Sequence, residues 1–115
     1  MDCIFCKISK KEIPANVVFE NEDIIAFKDI NPVAPVHVLV IPKKHIESVV
    51  DVKDSDEALM GKMIIAAKKI AEQMKISESG YKLLVRVGKN GGQEIGHIHM
   101  HLLGGARLYE NIRPA

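Results

Sequence analysis

The sequence predicts an α+β domain, with an antiparallel sheet, one long helix and a short N-terminal helix. Two pairs of apolar segments, at 17–27 and 81–103, are each joined by a polar or glycine-rich turn, the pattern of hairpins. One intervening segment repeats its apolar residues at three and four, the period of an amphipathic helix. No internal repeat, linker or low-complexity stretch divides the chain, so residues 1–115 read as a single domain.

Residues 3–13 read as a short amphipathic turn of helix with Ile4, Phe5 and Ile8 on one side, ended near Ile13-Pro14. Val17–Phe19 and Ile24–Phe27 flank the polar Glu20-Asn21-Glu22-Asp23 and make the first hairpin. Two prolines keep Asp29–Pro35 out of a regular ladder, so it is a loop feeding the strand Val36–Ile41, which Pro42 closes. Asp54 and Glu57 resemble a capping box at the head of a helix running to about Lys75. Its apolar stripe is Leu59, Met63, Ile64, Ala67, Ile70 and Met74, with the methionines read as core packing. Gly80 ends this region, Tyr81–Val87 reads as a strand, and Gly88–Glu94 turns the chain into the last strand.

That last strand carries the chemistry. His97, His99 and His101 fall at every second position, with Ile98, Met100 and Leu102 between and after them. In a strand, alternate side chains share a face about 6.6 Å apart, so the imidazoles form a row while the apolar residues cover the core. A helix would splay the same residues by about 100° per step and leave neither face coherent. Imidazole is a proton carrier near neutral pH, a nucleophile and a metal ligand. By residue type alone a three-histidine metal centre and a nucleophilic site both stand, against the plainer reading of a solvated strand face.

The chain has 115 residues, 47% hydrophobic and 27% charged, enough for one buried core. Its formal charge of +1 supplies no broad field to recruit nucleic acid or an anionic membrane. The start, Met1-Asp2-Cys3-Ile4, lacks signal-peptide character and no stretch approaches a membrane span, so the expected location is the cytoplasm. In a reducing compartment the paired Cys3 and Cys6 read as metal binding or redox chemistry rather than a disulfide.

His-x-His-x-His with apolar residues in the gaps, preceded by Gly92-Gln93, resembles the signature of the histidine triad (HIT) family. The likeness extends through Lys11-Glu12-Ile13-Pro14-Ala15, Asp29-Ile30-Asn31-Pro32 and the block from Ala34 to His45. Leu103-Gly104-Gly105 resembles the Hint-like branch, whose members are nucleotide phosphoramidases acting on adenylated amines. The resemblance implies a homodimer whose sheets join across the interface. It also implies a purine nucleotide or nucleotidyl substrate, with dinucleoside polyphosphate hydrolysis or simple nucleotide binding as alternatives.

Carried over residue by residue, the resemblance makes His99 the nucleophile that attacks the α-phosphorus and forms a nucleotidyl-histidine. His101 holds phosphate oxygens or assists proton transfer, and His37 and His97 support the row. Asp29 accepts from the ribose hydroxyls, Ile4, Phe5, Ile8, Phe27, Ile30 and Leu39 surround the base, and Gly92, Gln93 and Glu94 approach the phosphate. From residue types alone, the apolar set reads as ordinary core. Catalysis in this mechanism requires no cofactor. Cys3 and Cys6 with His45 and His97 match the structural zinc site of zinc-binding members, a closed tetrahedral set. Three departures stand out. Glu94 replaces a serine and Arg86 an asparagine of the animal proteins, and since a carboxylate beside a phosphate would repel it, Glu94 is expected to face away or to pair with Arg86; and Tyr109–Ala115 replaces a tryptophan-containing tail.

Overall fold

The computed structural model describes residues 3–110 and 112–114; expectations touching Met1, Asp2, Asn111 and Ala115 lie outside the described residues. The chain runs α1 (Ile4–Ser9), β1 (Val17–Glu20), β2 (Ile24–Lys28), β3 (Val36–Pro42), α2 (Glu57–Gln73), β4 (Tyr81–Val85) and β5 (Met100–Gly104). The strands form one antiparallel sheet in the order β1-β2-β3-β5-β4. β5 therefore lies between β3 and β4, so both neighbours can place side chains beside its histidines.

Both faces of the sheet are covered, and the period of two sorts the residues between them. Ile24, Ala26, Val38, Val40, Met100 and Leu102 pack against Met63, Ala66, Ala67, Ile70 and Ala71 of α2. The intervening Ile25, Phe27, Leu39 and Ile41 pack on the other face with Cys3, Phe5 and Ile8 from the α1 segment. This second face holds the site, because Leu39 and Leu84 both stand opposite His101 in the ladder.

Several boundaries differ from the sequence expectation. The cap before the long helix lies one residue earlier than the expected Asp54 and Glu57, at Lys53 and Asp56: the Asp56 carboxylate accepts from the Lys53 N–H at 3.0 Å and from Lys44 Nζ at 2.6 Å. A 3₁₀ turn over Asp54–Asp56 precedes α2, which satisfies the donors that the expected box would have served. The stripe of α2 differs from the one the periodicity suggested, with Ile64 47% exposed and Ala66, Ala67 and Ala71 buried. α2 stops at Gln73, with Lys75 at φ 58° and the Ile76 N–H bonded to Ala71 O at 3.0 Å. β4 ends at Val85, two residues early.

The largest difference concerns the histidine strand. Regular pairing begins at Met100 rather than His97. The His97 N–H closes a tight turn on Ile95 O at 2.9 Å, and the Ile98 N–H leaves the ladder to bond Ile46 O at 2.7 Å. The expected row of three is thus split after its first member.

Candidate active site and metal centre

The split sends His97 one way and His99 and His101 another. The His99 and His101 rings lie 5.1 Å apart between centroids, and His37, from β3, lies 5.2 Å from His101. The His97 ring instead packs 4.9 Å from His45. Phe5 stands at the junction, with edge contacts to His97 at 5.9 Å and His99 at 5.2 Å.

Hydrogen bonds assign the protons around the first group. The Val33 N–H donates to His37 Nδ1 at 3.1 Å, so a neutral His37 carries its proton on Nε2. That Nε2–H donates to His101 Nδ1 at 2.9 Å, which leaves the His101 proton on its Nε2. His99 Nδ1–H donates to His97 O at 2.7 Å, which leaves the His99 Nε2 lone pair free to attack. Asp29 Oδ2 lies 3.4 Å from His37 Nε2, and its Oδ1 accepts from the Asn31 N–H at 2.8 Å.

Burial keeps His37 and His101 neutral. His101 is pushed down to about 4, first by desolvation and then by the charges of His99, His37 and Arg86. Desolvation also lowers His37, against the pull of Asp29. His37 and His101 are therefore a hydrogen-bonded pair of neutral imidazoles at physiological pH.

Asp29, His37 and His101 are close enough together to suggest a cation site. The proton assignment argues against one. A metal on His37 Nε2 would move the ring proton to Nδ1, where it would meet the Val33 N–H donor-to-donor.

The second group has the opposite character. Cys3 Sγ lies 3.3 Å from His97 Nδ1, and Cys6 Sγ lies 3.2 Å from His45 Nδ1 and 3.6 Å from His97 Nδ1. All four ligand atoms fall within 4.8 Å of one another. A tetrahedral zinc with about 2.3 Å to sulfur and about 2.0 Å to nitrogen spans S···N edges of about 3.5 Å. His97 Nε2–H donates to Pro42 O at 2.9 Å, the outer bond that directs the Nδ1 lone pair at the sulfurs. Desolvation and then the neighbouring Cys3 thiol raise Cys6, so its metal-free thiol stays protonated, whereas a divalent cation would favour the thiolate. His45 Nε2 is buried without a hydrogen-bond partner. The donor set and spacing fit zinc.

The remaining candidates distribute as follows. Phe5, Ile8, Phe27 and Leu39 are buried in one apolar cluster beneath the histidines, while Ile4 and Ile30 are exposed at 48% and 90%. Gln93 builds the glycine turn: its Oε1 accepts from Ser48 Oγ at 2.7 Å and the Gly88 N–H at 3.1 Å, and its Nε2 donates to Glu47 O and Ile95 O. The Gly92 and Gln93 N–H groups bond Lys89 O and Gly88 O inside this turn. Their direct contribution is thus turn geometry. The expected Arg86–Glu94 ion pair is absent among the described residues; Glu94 is exposed and the Arg86 side chain lies beside Gly92 instead. Ser48, Val33 and Pro42 escaped the sequence reading because they act through a hydroxyl, an N–H and a carbonyl that any local sequence could supply.

β5 and the residue before it present His99 and His101 with His37 beside them, the arrangement that the resemblance to the histidine triad family implied. The family model for the HIT domain matches residues 10–108. The chain is 49% identical over 107 residues to the purine nucleoside phosphoramidase of Escherichia coli (strain K12), covering 93% of this chain and 90% of that protein. Among solved structures it resembles a HIT family hydrolase from Legionella pneumophila Philadelphia 1 (TM-score 0.92, 53% identity, 94% and 96% of the two chains). It also resembles a histidine triad protein from Clostridium difficile (TM-score 0.94, 41% identity, 97% of each chain). The chain belongs to the HIT family.

Proposed function

We propose that the protein is a nucleotide phosphoramidate hydrolase acting on purine nucleoside monophosphate derivatives, in particular adenylated amines. The observation that carries this reading is the proton pattern that leaves His99 Nε2 bare beside a proton-bearing His101 Nε2. The similarity to a purine nucleoside phosphoramidase supports the substrate class.

His99 Nε2 attacks the α-phosphorus; the phosphorus–nitrogen bond to the amine breaks as a phosphorus–nitrogen bond to His99 forms. The departing amine takes the His101 Nε2 proton, and the positive charge that the His99 ring gains on bonding phosphorus offsets the charge left on His101. Water then attacks phosphorus, breaks the bond to His99 and returns one proton to the histidines, which end as they began. Asp29 accepts from the ribose hydroxyls, and Ile4, Phe5, Ile8, Phe27, Ile30 and Leu39 bound the base site. The turn containing Gly92, Gln93 and Glu94 borders the phosphate. His97 supports catalysis through its carbonyl, which fixes the His99 tautomer.

Zinc held by Cys3, Cys6, His45 and His97 has a structural part: with four protein ligands it has no open position, and it ties the α1 segment to β3 and the His99 segment. The reading includes one domain over residues 1–115, a cytoplasmic location, a homodimer joined through the sheets, and no nucleic-acid or membrane partner. No helix of the described residues is long and apolar enough to cross a membrane.

The test is single-turnover hydrolysis of adenosine phosphoramidate by wild type and His99→Ala with chelator present, with any adduct trapped for intact mass. The expected result is a nucleotidyl adduct and turnover, both lost in the variant. Tight nucleotide binding with neither adduct nor turnover in wild type would show a binding module instead.

A further inference from the structure

Arg86 is the feature that the mechanism leaves unused. It follows β4 by one residue, and the pairings Leu84↔His101 and Val85↔Met100, continued one step, place it opposite His99. By the alternation of strand side chains it belongs to the face of Leu84, which is the face of His101. Its guanidinium lies against the glycine turn: a Cβ built on Gly92 would stand 3.4 Å from Arg86 Nη1 and 3.8 Å from Cδ. Gly92, at φ +79°, keeps that space clear.

No carboxylate answers this charge within ion-pair distance among the described residues. The guanidinium is near enough to His101 to contribute to its lowered proton affinity. Asp29 and His37 approach β5 from the β3 side, while Arg86 approaches from the β4 side. A nucleotide with its ribose at Asp29 and its phosphorus at His99 therefore directs substituents on the far side of phosphorus toward a permanent, unpaired cation.

We propose that Arg86 is a specificity-determining residue that selects substrates whose leaving group carries a further negative charge, a carboxylate or a phosphate. This deepens the phosphoramidate hydrolase reading and rests on it for the orientation of the substrate. A guanidinium at this place binds carboxylate or phosphate through two parallel N–H bonds, which a single amide group at the same position could not match.

The experiment compares adenosine phosphoramidates of glycine and glycinamide, and of O-phosphoethanolamine and ethanolamine, so each pair differs by its charged group. Wild type should favour the charged member by about tenfold in kcat/KM at low ionic strength, with the preference shrinking as salt is added. Arg86→Gln should erase the preference and Arg86→Lys keep part of it, whatever happens to the rate common to all substrates. The glycine pair reads carboxylate recognition and the phosphoethanolamine pair reads phosphate recognition. A charged-to-neutral ratio that is near one in wild type, or unchanged in Arg86→Gln, for both pairs overturns the proposal. The same ratios taken from dissociation constants by calorimetry decide the matter without turnover. Full activity in His99→Ala would sink the parent mechanism while leaving these ratios readable.

Discussion

Acidification should destabilise the folded protein well above the range where carboxylates titrate, and His101 should be a principal cause. Its proton affinity falls from an ordinary 6.5 to about 4 in the folded chain, because burial removes water and neighbouring His99, His37 and Arg86 disfavour a second positive charge. Between those pH values the unfolded chain binds a proton at this position that the folded chain refuses, so stability falls as the pH is lowered. Each pH unit is worth about 1.4 kcal/mol, so crossing the whole interval removes about 3 kcal/mol at most. Above about pH 6.5 the contribution is flat. His37 and His97 are lowered by burial as well and add to the slope in the same direction. Urea denaturation at several pH values from 8 to 4, on wild type and His101→Gln, measures the effect. The variant should lose up to one proton's worth of slope below pH 6.5. Parallel stability curves for the two proteins across that range would refute the assignment of His101 as a half-buried neutral base.

Two further outcomes follow from the geometry. Cys3→Ser should release zinc from the purified protein and lower its melting temperature, while sparing most turnover; zinc analysis with thermal denaturation checks it, and stoichiometric zinc retained by the variant would remove the proposed site. Gly91→Ala should cost at least about 2 kcal/mol, because the new Cβ would sit 2.4 Å from the Val87 carbonyl oxygen and backbone cannot swing aside as a side chain can. Denaturant titration reads the loss, and a change within about 0.5 kcal/mol would show that the turn relaxes.

The amino-acid sequence by itself determined the sheet, its two hairpins and the existence of α2, because strand and helix periods are local properties of apolar spacing. It also marked every histidine and cysteine of the two clusters. Tertiary structure decided how those residues divide. His97 and His99 are two positions apart, yet the turn on Ile95 O and the bond from the Ile98 N–H to Ile46 O break the strand between them. His97 thereby joins Cys3 and Cys6, which lie 94 and 91 residues away in the chain. The same holds for the Asp56 cap, where a lysine in contact with the carboxylate displaced the expected Asp54 and Glu57 pair. Repulsion between a carboxylate and a phosphate left two places for Glu94, facing away or paired with Arg86, and it is exposed and unpaired with Arg86. The folded turn instead directs the guanidinium over Gly92. Which nitrogen of each imidazole carries the proton was likewise beyond the sequence. Those protons are set by the Val33 N–H and the Pro42 and His97 carbonyls, backbone groups that every residue type supplies and only the fold brings within 3.1 Å.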